Sequence, residues 1–151
     1  MATAIPANQC AFTADEVVRA TGAAFSGPSA LRVAGVGSDS RTIGRGTLFV
    51  ALRGIRDGHE FLHAAAERGA AAAIVERGRL NPKLPCFEVD GTLVALGDLA
   101  RFHLERRRAR RSLPSIAIGG AAGKTTTKEL TAALARALFG EILATPGNLN
   151  N

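Results

Sequence analysis

The stretch Ser115-Ile-Ala-Ile-Gly-Gly-Ala-Ala-Gly-Lys-Thr-Thr-Thr-Lys-Glu129 constrains this chain more than any other. The apolar run Ile116-Ala117-Ile118 reads as a buried strand, and the small residues Gly119 to Gly123 as a turn. From Lys124 a helical pattern runs through Leu130, Leu134 and Leu138, with Gly140 as its stop. Strand, glycine turn, Lys-Thr and helix is the order of a phosphate-binding loop. Glycine lets backbone N–H groups approach phosphate oxygens, and the helix N-terminus adds unpaired donors and partial positive charge. Lys124 can reach terminal phosphates as a point charge, and the Thr125 hydroxyl can hold Mg²⁺. The common pattern G-x-x-x-x-G-K-[ST] is not strictly met, because Ile118 stands five residues before Gly123. The bland alternative is an ordinary glycine-rich connection carrying an exposed lysine.

The shorter loop, Gly120-Ala-Ala-Gly-Lys-Thr-Thr-Thr-Lys-Glu129, resembles the ATP loop of the Mur ligase family, which builds the peptide stem of bacterial cell wall precursors. Two further stretches, Ser38-Asp-Ser-Arg41 and Gly46-Thr-Leu-Phe-Val-Ala-Leu-Arg-Gly54, are similar to the N-terminal domain of that family. The ending Gly147-Asn-Leu-Asn-Asn151 resembles the branch that joins D-Ala-D-Ala to UDP-MurNAc-tripeptide, rather than the branch that adds the third amino acid. The family usually carries Thr where Gly119 stands and Ser or Thr where Ala121 stands, so two hydroxyls are missing while the backbone donors remain.

The resemblance implies an ATP- and Mg²⁺-dependent ligase. Gly120, Ala121, Ala122, Gly123, Lys124, Thr125 and Thr126 would cradle the nucleotide, Lys124 would be the catalytic cation and Thr125 a metal ligand. It also implies that Ser38, Asp39, Ser40, Arg41, His59 and Asn148 border the substrate, with UDP-MurNAc-tripeptide and D-Ala-D-Ala as partners in the cytoplasm.

The rest of the chain reads as α/β. Thr13 and Glu16 have capping-box spacing, with Phe12 and Val17 placed as a hydrophobic staple and Gly22 as the stop. Leu31 to Gly37, Thr47 to Leu52, Ala70 to Glu76 and Cys86 to Val89 read as strands. Glu60 to Arg68 reads as a helix stopped by Gly69. Another runs from about Gly91 or Thr92 to Arg111, with Asp90 as its cap and Leu93, Leu96, Leu99 or Ala100, and His103 or Leu104 on its apolar face. Ser112-Leu-Pro114 ends it. The expected organisation is a mixed α/β domain over 1–112, followed over 113–151 by the first βαβ portion of a P-loop domain. A lone strand–helix–strand cannot close a nucleotide-binding sheet.

Several residues carry two readings. Ser38 to Arg41 can be a local turn, since short hydroxyls and a carboxylate bond the nearby backbone. They can equally form a polar pocket, with Arg41 offering a fork to an anion. His59 and His63 are four apart, but Glu60 does not complete H-E-x-x-H, so capping and packing compete with a ligand contact.

Composition trims the remaining classes. Of the 151 residues, 46% are hydrophobic, enough for a core. The net charge of +6 is matched by Arg101, Arg106, Arg107, Arg108, Arg110 and Arg111. That run reads as a solvated helix end rather than a nucleic-acid stripe, because neither aromatics nor a second basic segment accompany it. Cys10 and Cys86 lack metal or redox spacing and read as free thiols. The first ten residues lack the basic start and apolar run of a signal peptide, and no apolar run is long enough to span a membrane.

Overall fold

The computed structural model describes residues 10–110, 114–140 and 142–145, which fall into two compact units, one on each side of residues 111–113.

In the first unit the order is β1 (Ala11–Thr13), α1 (Ala14–Thr21), β2 (Ala24–Phe25), β3 (Arg32–Ala34), β4 (Val36–Gly37), β5 (Leu48–Val50), a 3-10 turn (Gly58–Phe61), α2 (Leu62–Glu67), β6 (Ala72–Glu76), β7 (Cys86–Val89) and α3 (Thr92–Arg110). β1 and β3 form an antiparallel pair. The main sheet runs β2-β7-β6-β5-β4, with β4 to β7 parallel and β2 antiparallel at one edge. The carboxyl ends of four consecutive parallel strands therefore lie along one edge.

Alternation along the strands sorts the core onto two faces. Leu48, Val50, Ala72, Ile74, Phe87 and Val89 pack with Val17 of α1 and with Ala95 and Leu99 of α3. Phe49, Ala51, Ala73, Val75 and Cys86 pack with Leu62 and Ala65 of α2. Helices on both faces explain why these strands are nearly continuous apolar runs. Phe25 on the edge strand stacks on Phe87, with centroids 4.1 Å apart.

The capping box and staple form as expected. Thr13 Oγ1 accepts from the Glu16 N–H at 3.2 Å, Glu16 Oε2 accepts from the Thr13 N–H at 2.9 Å, and Phe12 and Val17 are both buried. Gly22 ends α1 in the left-handed region, with φ 66°.

Two expectations change. The strand over Leu31 to Gly37 is split at Gly35, whose φ of 84° turns the chain so that β3 joins one sheet and β4 the other. The buried face of α3 is Thr92, Ala95 and Leu99, with Leu96 and Phe102 beside them, while Leu93 and Ala100 face outward. The Thr92 hydroxyl sets this rotation by donating to the Ala51 carbonyl at 2.9 Å. The small Ala95 then lets the helix approach the sheet.

In the second unit α4 spans Lys124–Phe139 and ends at Gly140. The strand expected at Ile116–Ile118, and a second one after α4 to complete the expected βαβ portion, are not formed among the described residues. Residues 114–120 and 142–145 carry no regular secondary structure, and residue 141 lies outside the description. A strand exists only through a neighbour, and the described part of this unit has no sheet to join. Leu130, Leu134 and Leu138 do share one face of α4, and that face is exposed.

Candidate functional site

The turn and the helix of the candidate phosphate loop are formed, without the strand expected before them. Gly120 has φ 148° and Gly123 φ 75°, both unfavourable for a side chain. No side chain caps α4; Gly123 occupies the N-cap position, and its carbonyl takes the first helical bond, from the Thr127 N–H at 2.9 Å. The N–H groups of Lys124, Thr125 and Thr126 thus start the helix without intrahelical acceptors, which makes an anion-binding end. Lys124 Nζ donates to the Gly120 carbonyl at 2.6 Å and the Ala121 carbonyl at 3.3 Å, folding its charge over the loop. Ala121, Ala122, Thr125 and Thr126 are exposed around it. Lys128, one turn on, donates to the Thr145 carbonyl at 2.7 Å and ties residues 142–145 to α4.

The residues fit a nucleotide's phosphates. Donors converge at an uncapped helix end, with one ammonium beside them and the Thr125 hydroxyl free to face a divalent cation. Among the described residues no group of three or more His, Cys, Asp or Glu could hold a metal alone. Among the loop residues described, Thr125 carries the hydroxyl that could meet a Mg²⁺ bound with the phosphates.

Ser38 to Arg41 follow β4 at the carboxyl edge of the sheet, where open parallel sheets take their ligands. The local-turn reading is the one the geometry shows. Asp39 makes the local turn, its Oδ1 accepting from the Arg41 N–H at 2.9 Å, and Thr42 and Ile43 donate backbone bonds to its carbonyl. The same carboxylate receives the Arg41 fork, Nε at 2.9 Å and Nη2 at 2.7 Å. That pairing holds the Asp39 carboxyl at about 2. Ser38 is exposed, Ser40 is buried, and the Arg41 side chain is 82% exposed.

His59 lies at the same edge, in the 3-10 turn after β5, with only 5% of its side chain exposed. Both ring nitrogens are engaged. Nδ1 meets Asp57 Oδ1 at 2.6 Å, and Nε2 accepts from the Glu76 N–H at 3.0 Å. An Nε2 that accepts leaves the proton on Nδ1. Asp57 also caps the turn, accepting from the His59 N–H at 3.0 Å, and pairs with Arg79. The His59 bonds, with Arg79 adding its charge, hold the Asp57 carboxyl at about 2. His63 instead faces Glu67 at 3.0 Å on α2. Asn148 lies outside the described residues.

Sequence reasoning missed Arg53, Glu76 and Arg79. The Arg53 guanidinium pairs with Glu76 at 2.6 Å. Pairs 17 to 23 residues apart carry no periodic signal; only the β5–β6 pairing brings them together. A shallow open cavity of about 550 Å³, lined by residues including Ser26, Leu80, Lys83 and Cys86, sits elsewhere and contains none of the expected residues.

Known proteins resemble both units. The profile described as Mur ligase family, catalytic domain, matches residues 32–104. A UDP-N-acetylmuramoyl-tripeptide–D-alanyl-D-alanine ligase of Treponema pallidum is 39% identical over 131 residues, covering 78% of this chain and 27% of the relative. A UDP-N-acetylmuramoyl-L-alanyl-D-glutamate–2,6-diaminopimelate ligase of Aquifex aeolicus is 42% identical over 100 residues, covering 66% of this chain and 20% of the relative. A crystal structure of MurF from Acinetobacter baumannii superposes with TM-score 0.79 at 33% identity, over 95% of this chain and 31% of that one. MurF from Thermotoga maritima in complex with ADP gives TM-score 0.58 at 34% identity, over 68% of this chain and 23% of that one. The chain spans about a quarter of the length of the curated relatives it matches. With a family profile on the first unit, and a likeness to MurF that at 95% coverage takes in both, this chain belongs to the Mur ligase family.

Proposed function

We propose that this chain is the UDP-substrate domain and the opening of the ATP-binding domain of a UDP-MurNAc-tripeptide–D-Ala-D-Ala ligase, acting in the cytoplasm. Residues 1–112 take the UDP end of the tripeptide substrate, and residues 113–151 begin the nucleotide site. The observation that carries this reading is the likeness to MurF over 95% of the chain. The uncapped N-terminus of α4 beside Lys124 gives that likeness a chemistry.

Bound ATP with Mg²⁺ supplies the phosphoryl group that activates the tripeptide's terminal carboxylate, so that the amine of D-Ala-D-Ala can form the amide and release phosphate. This chain's residues position and neutralise. The N–H groups from Gly120 to Thr126 donate to the phosphate oxygens. Lys124 swings from the Gly120 and Ala121 carbonyls to the terminal phosphates, and Thr125 offers its hydroxyl to Mg²⁺. At the carboxyl edge, Ser38, Ser40 and Arg41 meet the UDP end, with Asp39 setting the turn. No described residue is assigned to D-Ala-D-Ala.

Calorimetric titration of the chain with Mg·ADP and with UDP-MurNAc-tripeptide tests the two sites separately. Both should bind; Lys124→Ala should abolish the first and spare the second, and Arg41→Ala should do the reverse. Absence of both affinities would overturn the reading. With ATP and both substrates present, the chain alone should release no phosphate, and robust turnover would refute its assignment to only part of the ligase. The Aquifex relative keeps a second reading open, a ligase that adds the third residue. Preference for the UDP-dipeptide over the UDP-tripeptide would favour it.

A further inference from the structure

The segment from Ala51 to Gly58 is a closed loop. Arg53 and Asp57 form an antiparallel bridge, the Gly54 N–H bonds the Arg56 carbonyl at 3.2 Å, and the Gly58 N–H bonds the Leu52 carbonyl at 2.8 Å. A Cβ on Gly58 would lie 2.6 Å from the Leu52 oxygen, so the loop closes on bare backbone. His59 fastens it to the neighbouring strand. Its Nδ1 and backbone N–H hold Asp57, while Nε2 holds the Glu76 N–H at the end of β6. The Glu76 carboxylate then holds the Arg53 guanidinium at 2.6 Å. The circuit Arg53, Asp57, His59, Glu76 is buried at the histidine and open at the arginine, whose side chain is 61% exposed. The loop follows β5, the strand paired in parallel with β4, which Ser38 to Arg41 follow.

We propose that His59 is a positioning residue that fixes Arg53 at the carboxyl edge, where the Arg53 guanidinium receives the diphosphate of the UDP-linked substrate. This rests on the proposed function of the first unit and adds a phosphate-binding cation and its support. Glu76 is the built-in counter-charge, held until a phosphate displaces it from part of the fork. Burial and full pairing of the imidazole are what a positioning role needs. A ligand contact would leave one ring nitrogen open.

The test is a double-mutant cycle on the full chain, with UDP-MurNAc-tripeptide and UDP as probes and affinity read by calorimetry. Arg53→Ala should weaken both probes roughly tenfold, the usual effect of losing one charge-assisted bond. His59→Ala should do the same, and the double variant should be no weaker than either single one. His59→Gln, which can keep an acceptor for the Glu76 N–H, should recover part of the loss. Val17→Ala, on the buried face of α1, should lower the melting temperature without moving the affinity, separating positioning from general loss of stability. If His59→Ala does not fold by circular dichroism, Asp57→Asn and His59→Gln run the same cycle. Wild-type affinity in the His59 variants, or additive losses, would overturn the positioning role while leaving the UDP reading intact. No affinity in the wild-type chain would overturn the UDP reading, and the positioning role with it.

Discussion

Arg106 is the arginine of the basic run whose removal should be felt. The sequence reads the whole run as a solvated helix end, yet the Arg106 side chain is 24% exposed. Its Nη1 pairs with Glu16 of α1 at 2.8 Å, its Nη2 donates to the Ala11 carbonyl at 2.8 Å, and its guanidinium lies 5.1 Å from the Phe12 ring centroid. An exposed ion pair contributes well under about 1 kcal/mol, whereas a charged hydrogen bond in a partly buried place contributes about 1.5–3 kcal/mol. The stacking over Phe12 adds about 0.5–1 kcal/mol. With allowance for residual solvent, Arg106→Ala should cost about 2 kcal/mol. For a unit of roughly 100 residues that is a fall of about 10 °C in melting temperature. Arg107→Ala and Arg110→Ala, exposed on the same helix, should stay within about 0.5 kcal/mol of wild type. Calorimetry or far-ultraviolet circular dichroism of the melt checks all three. A Glu16→Gln cycle should return about 1 kcal/mol of coupling between Glu16 and Arg106. Equal melting temperatures for Arg106→Ala and Arg107→Ala would refute the staple, and with it the claim that this arginine locks α3 to α1.

Two further outcomes follow from the same geometry. The Asp39 and Asp57 carboxyls sit at about 2 against an ordinary 3.8, so the stability they confer is complete above about pH 4 and drains as pH falls towards 2. Melting temperatures at pH 6, 4, 3 and 2 should show that fall, more shallowly in Asp57→Asn; a flat profile would refute it. Gly58→Ala must push a Cβ into the Ala51–Leu52 backbone and should cost about 2 kcal/mol or more, read by urea unfolding. A cost near zero would show that the loop can open there.

Much of the fold is legible because it rests on local rules. Thr13, Glu16 and Gly22 specify α1 through its cap and stop, whatever it packs on. The apolar runs at 48–50, 72–76 and 86–89 become strands because nothing else buries both faces of so short a run. The turn from Gly120 to Gly123 is legible for a different reason. Its positive φ angles admit little besides glycine, so the residue types announce the backbone. The segments around α4 mark the limit of such rules, since Ile116 to Ile118 has a strand's composition and no neighbouring strand to pair with among the described residues.

The phosphate-loop motif, the α/β class and the family are readable from residue types at fixed short spacing. Which charges are structural is settled by packing. Glu16 finds Arg106 across 90 residues, Asp57 finds Arg79 across 22, and the Glu76 N–H finds His59 across 17. Such partners meet when strands and helices pack, and no local propensity encodes the meeting. For the same reason Arg53 and Glu76 looked like ordinary surface residues until β5 and β6 lay side by side.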